Sequence, residues 1–161
     1  MLQLVIIRLN HLIPTIDSID PLEFVFSQLL QLYLNSNVPD SLHRKLTSSM
    51  AESISSILLR DPDQSQQMQS TLVKWLNDSS PRLREGSLTI FTSIIPRLPN
   101  IFKPFITNFI PMIEASFSDI TNTKLCLIGF NMLISVLDLL DAKDKSLIAF
   151  QPLADRICQV L

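Results

Sequence analysis

Apolar residues recur every three to four positions along almost the whole chain, which is the period of a helix and not of a strand. Leu42, Leu46, Met50, Ile54 and Ile57 form one stripe, and Phe102, Phe105, Ile106, Phe109, Ile113 and Phe117 form a second. A third runs through Leu83, Ser87, Ile90, Phe91, Ile94 and Leu98. Start and stop signals divide these stripes into about eight helices, at roughly 2–12, 21–35, 40–59, 62–77, 81–98, 101–118, 122–140 and 145–161. Asp20-Pro21 and Asp61-Pro62 each offer an N-cap followed by proline at the first helical position, where its missing N–H costs nothing, and Ser80-Pro81 does the same for the fifth helix. Pro96, Pro104, Pro111 and Pro152 fall inside or near helices and predict kinks or short breaks, the last of them splitting the final segment near Gln151.

Landmark residues return at a nearly constant interval when helices two apart are compared. Asp20-Pro21 and Asp61-Pro62 lie 41 residues apart, with Lys103-Pro104 a further 42 along. Asn37, Asp78 and Asp119, near the end of the first helix of each pair, keep a spacing of 41, and His43, Arg84 and Lys124, early in the second helix, are spaced by 41 and 40. A period of about 40–47 residues with two helices per unit is that of HEAT and armadillo solenoids, in which one hairpin cannot bury its apolar face alone and stacks on its neighbours. The fold expected is therefore all-α: an α-α superhelix of antiparallel helices in stacked pairs, as a single segment over 1–161. The pairs fall at about 20–60, 61–98 and 101–140. The helices at 2–12 and 145–161 have no partner in this register, and the sequence reads as a segment incomplete at both ends.

The run NDSSPRLREGSL at 77–88 is the clearest copy of the HEAT turn, in which an Asp ends the first helix and an apolar-Arg pair opens the second. Asp78 and Arg84 hold those places, Leu83 is the apolar member, and Gly86 is the small residue that permits close helix approach. A carboxylate here can accept hydrogen bonds from turn amides and meet a basic side chain of its own or a neighbouring repeat. Asn37 with His43 (beside Arg44 and Lys45) and Asp119 with Lys124 are the equivalent positions. The expected role of all six is a stacking ladder, not catalysis.

Composition adds exclusions. The chain of 161 residues is 47% hydrophobic and 17% charged, which suits a large buried core and rules out a disordered chain. Two glycines are too few for a nucleotide-binding doubly wound sheet or a many-stranded β protein. A net charge of −2 gives no reason to expect nucleic acid or an anionic membrane as partner. Cys126 and Cys158 lie in apolar helical segments and read as buried free thiols. Met1–Leu9 lacks a basic leader and a cleavage site, and the apolar run Leu125–Leu137 is interrupted by Asn131 and Ser135 and is too short to cross a bilayer. No phosphate-cradling glycine loop, HExxH, CxxC or GxSxG occurs, and His11 and His43 are the only histidines. No catalytic residue, metal site or cofactor is expected, and the chain reads as a binding scaffold and not an enzyme.

The stretch Pro39–Asn100 resembles the amino-terminal half of importin-β superfamily nuclear transport receptors, most closely the subgroup that imports ribosomal proteins and histones. His43-Arg44-Lys45-Leu46 with Ala51-Glu52, and Leu83-Arg84-Glu85-Gly86-Ser87-Leu88 with Ile90-Phe91, carry that resemblance. More loosely, Leu147–Leu161 looks like a later helix of such receptors. DPDQSQQMQ at 61–69 departs from the family's Asn/Trp-Pro pattern. The resemblance implies a receptor moving between cytoplasm and nucleus through the nuclear pore, with protein cargo, the Ran GTPase and phenylalanine-glycine nucleoporins as partners. A HEAT scaffold or regulatory subunit unrelated to nuclear transport is the alternative.

Overall fold

The computed structural model describes residues 2–35, 38–118, 121–141 and 143–160, and every regular element among them is helical. The chain is an all-α protein and divides into two compact units, Met1–Ile94 and Ile95–Leu161.

In the first unit, α1 (Leu2–Leu12) and a short 3-10 turn precede two hairpins, α2 (Ile19–Leu34) with α3 (Asp40–Arg60) and α4 (Ser65–Leu76) with α5 (Pro81–Ile94). Helices within each hairpin pack together, and the second helices also stack in chain order, α1 on α3 and α3 on α5. Ile13, Leu22 and Ile57 form a buried cluster that joins the chain after α1 to α2 and α3, with Leu9, Ile16, Ile19 and Val25 packed around it. Burying each such side chain stabilises the unit by roughly 1.5–3 kcal/mol relative to leaving it in water. α1 covers its neighbour with Ile6 and leaves Leu4, Val5, Ile7 and Leu12 exposed.

α3 lies at the middle of this stack, and its composition reflects that position. Leu46, Met50, Ala51, Ile54, Ile57 and Leu58 are buried, and so are Thr47, Ser49, Ser53, Ser55 and Ser56. Small side chains let neighbouring helices come close. Several of their hydroxyls are satisfied within the helix: Ser49 donates to the Lys45 carbonyl at 3.0 Å and Ser53 to the Ser49 carbonyl at 3.1 Å.

In the second unit the region expected as one helix over 101–118 is broken. α6 (Pro99–Phe102) gives way to a 3-10 stretch over Lys103–Phe109 and then to α7 (Ile110–Ser116). Pro104 and Pro111 remove backbone donors, and Phe105 leaves the helical region altogether (φ −111°, ψ 17°). α7 pairs with α8 (Thr123–Leu137), whose first turn is capped by the Asn122 side chain accepting from the Leu125 N–H at 3.1 Å. A 3-10 turn over Lys145–Phe150 then leads into α9 (Gln151–Val160), so the break expected near Gln151 is present. Lys103 reaches Asp141 and Asp144 at 3.7 and 4.0 Å. Asp144 also accepts from the Ser146 N–H at 3.0 Å; that bond, and then the Ser146 hydroxyl, hold its carboxyl below the usual aspartate range, with Lys103 adding to them against burial.

Other boundaries differ from expectation in instructive ways. α2 begins at Ile19 after Ser18, so Asp20 sits inside the first turn and does not cap it, although a carboxylate there still suits the helix dipole. Pro62–Gln64 form a 3-10 turn ahead of α4, held by Asp61 Oδ1 accepting from the Asp63 N–H at 3.2 Å. α5 starts at Pro81 as expected but ends at Ile94, where Pro96 converts the next residues to a 3-10 turn. Of the two free thiols expected to be buried, Cys126 is half-buried and Cys158 is exposed; among the side chains described in α9, Leu153 and Ile157 are the buried ones.

Gly129 of α8 marks a close approach between α7 and α8. A Cβ there would stand 1.8 Å from Ser116 Oγ and 2.7 Å from Ser116 Cβ, an atom that no rotamer change can move away. Gly129→Ala should therefore cost about 1–3 kcal/mol of overpacking strain, seen as a lower urea midpoint with unchanged slope. An unaltered midpoint would show that α7 and α8 are not packed this closely.

Candidate interhairpin junction

The turn between α4 and α5 is built from local polar bonds. Asn77 is the C-cap that follows α4, and its side-chain amide donates to the Val73 carbonyl at 3.0 Å. Asp78, exposed, accepts from the Ser80 N–H through Oδ1 at 2.8 Å, and the Ser80 carbonyl accepts the Arg84 N–H at 3.2 Å, so α5 starts cleanly at Pro81. On the buried side, Ser87 donates to the Leu72 carbonyl at 2.6 Å and ties α5 to α4.

The six ladder positions have separate fates. Asp78 acts on its own turn. Arg84 is half-buried with its Nε in no hydrogen bond among the described residues, and no ion pair joins it to Asp78. Lys124 is exposed on the first turn of α8. Asn37 and Asp119 lie outside the described residues. His43 is half-buried and meets the ring of Tyr33 edge-on, with centroids 5.2 Å apart and planes at 69°.

Tyr33, which the turn pattern did not point to, is the residue that spans the hairpins. It is the chain's single tyrosine, 3% exposed near the end of α2. Its hydroxyl donates to the Arg82 carbonyl in the first turn of α5 at 2.6 Å. Arg82 returns a long bond, Nη1 to the Asn35 carbonyl at 3.5 Å. Gly86 makes room for the ring: a Cβ there would lie 2.7 Å from the Tyr33 hydroxyl and 3.0 Å from two ring carbons. Further along the same two hairpins, Phe26 of α2 and Trp75 of α4 stack with centroids 6.1 Å apart and planes within 6°. The only sequence signals for this joint were a lone tyrosine, a lone tryptophan and one of two glycines.

Burial, and then the Glu85 carboxylate, push the Tyr33 hydroxyl up to about 12, with Arg82 pulling the other way. The group therefore stays a protonated donor at any physiological pH. Among the described residues no cluster of three or more His, Cys, Asp or Glu side chains could hold a metal ion, and no helix is long and apolar enough to cross a membrane. The polar groups at this junction hold helices together. No family model, curated protein or solved structure matches the chain.

Two predictions come from this geometry. A double-mutant cycle with Asp78→Ala and Arg84→Met should give a coupling energy below about 0.5 kcal/mol, because no ion pair among the described residues joins the two side chains; a larger coupling in urea unfolding would place them in contact. Ultraviolet titration should find the single tyrosine ionising near 12 in the folded chain and near 10.0 when denatured. The raised value means that the folded state holds its proton longer. Tyr33 therefore adds a stabilisation that is complete below pH 10.0 and is lost as pH rises towards 12. That slope should vanish in Tyr33→Phe, and a tyrosine titrating near 10.0 in the folded chain would rule out its burial.

Proposed function

We propose that the chain is a protein-binding scaffold of stacked helix hairpins, and that it serves as a segment of a nuclear import receptor. The observation that carries the scaffold reading is the ordered stack of α1, α3 and α5, each of the last two joined to its own hairpin partner. Such a stack presents an extended surface whose shape is set by the joints between hairpins, which suits broad protein partners better than a small substrate. The hydroxyl and carboxylate groups described above are used on caps, turns and joints, so the reading needs no reactive group.

The import reading rests on the resemblance of Pro39–Asn100, with its HRKL and LREGSL runs, to importin-β receptors. Its partners are protein cargo, Ran in the GTP form and phenylalanine-glycine nucleoporins, and its place of action is the nuclear pore between cytoplasm and nucleus. The DPDQSQQMQ run at 61–69, where that pattern is broken, supports a second reading as a HEAT scaffold or regulatory subunit outside nuclear transport.

Pull-down of the full protein against Ran loaded with GTP, Ran loaded with GDP and a phenylalanine-glycine repeat peptide separates the two. Retention of the peptide together with selective retention of the GTP form is the expected result. A folded protein that retains none of the three overturns the import reading and leaves the scaffold reading to be tested by partner identification.

A further inference from the structure

We propose that Tyr33 is a latch that fixes the angle between the two hairpins of the first unit, and that the joint opens by releasing this latch while both hairpins stay folded. The inference concerns the joint itself and does not depend on what the scaffold binds.

The latch is separable from the helices it joins. In the helical pattern of α5 the Arg82 carbonyl already accepts the Gly86 N–H, and the Tyr33 hydroxyl takes its second lone pair. Breaking the Tyr33 bond leaves that carbonyl satisfied and the helix intact. The ring is equally specific in its seat, since it rests where Gly86 has no side chain and any Cβ would collide with it.

Besides the packing of α3 on α5, the hairpins share a second aromatic contact of a different character. Phe26 and Trp75 stack nearly parallel, an arrangement with no directional bond, whose rings can slide or turn over one another at little cost. Added to the packing of α3 on α5, the joint thus has one short hydrogen bond of fixed direction and one apolar sliding contact. Removing the first frees an angle; removing the second removes area but no direction. Arg82, through its long bond to the Asn35 carbonyl, backs the latch from the α5 side.

The test uses the whole chain with Cys126 and Cys158 replaced by serine and spin labels on cysteines placed at Gln28 and Gln67, exposed positions of α2 and α4. Pulsed dipolar spectroscopy reads the distribution of the distance between them. One narrow distance is expected for the parent chain. Tyr33→Phe keeps the ring and removes only the donor, and should raise the population outside the parent distance roughly fivefold, the shift expected for a net hydrogen bond of about 1 kcal/mol. Gly86→Ala, which displaces the ring, should do the same. Phe26→Leu should leave the distribution narrow. Circular dichroism checks that each variant keeps its helix content, and the single tryptophan Trp75 reports the stacked end by its emission. The proposal is overturned if Tyr33→Phe leaves the distribution unchanged, if Phe26→Leu broadens it as much, or if the broadening comes only with loss of helix.

Discussion

A helix hairpin has one apolar face too many to hide by itself, and the first unit is organised around the helix that bears the consequence. Between Leu46 and Leu58, α3 is buried on nearly every side, by its partner α2 and by α1 and α5 on either flank. Leucine and isoleucine at every one of those positions would hold the neighbours too far apart for close packing. The chain uses serine, threonine and alanine on the remaining faces instead. Ser49 and Ser53 return their hydroxyls to the preceding turn, which limits the desolvation penalty of a crowded interior, while the buried Ser55 hydroxyl has no hydrogen-bond partner among the described residues. The same logic reappears at Gly86 and Gly129, the only two glycines, each placed where another helix comes too close for a Cβ.

What could be read from the sequence follows from how far apart the interacting residues lie. The helix period is a local property, and it alone locates the stripes of α3 and α5. Ser80-Pro81 opens α5, and the break near Gln151 follows from Pro152. In each case the partner atom is within a turn of the residue that signals it. Asp78 belongs to the same class: its carboxylate acts on an N–H two residues on.

The misreadings have an equally physical origin. An uninterrupted apolar stripe over 101–118 pointed to one helix, yet two prolines seven residues apart remove two backbone donors from it. The segment keeps its stripe by passing through a 3-10 stretch. Asp20 looked like a cap because proline follows it, but Ile19 and Leu22 are drawn onto the cluster around Ile13 and Ile57, and the helix starts earlier. Tyr33 could not have been found this way. Its acceptor is 49 residues away, and no period in the sequence links a tyrosine in α2 to a main-chain oxygen in α5.

That contrast bears on what the six ladder positions do. A ladder of side chains running from repeat to repeat would make the register of the repeats depend on charge pairs at exposed turns, where such pairs are weak and screened by salt. At the described junction the directional link that joins α2 to α5 is a buried neutral hydroxyl on a main-chain carbonyl, with an aromatic ring seated on a glycine, and it adds to the packing of α3 on α5. This link is indifferent to salt and to pH over the physiological range, and it has a direction. The turn carboxylate Asp78 is then left to shape its own turn, which needs no partner on a neighbouring repeat. For the scaffold proposed above that division has a physical advantage, since the Tyr33 bond is shielded from solvent while the Asp78 carboxylate acts within its own exposed turn.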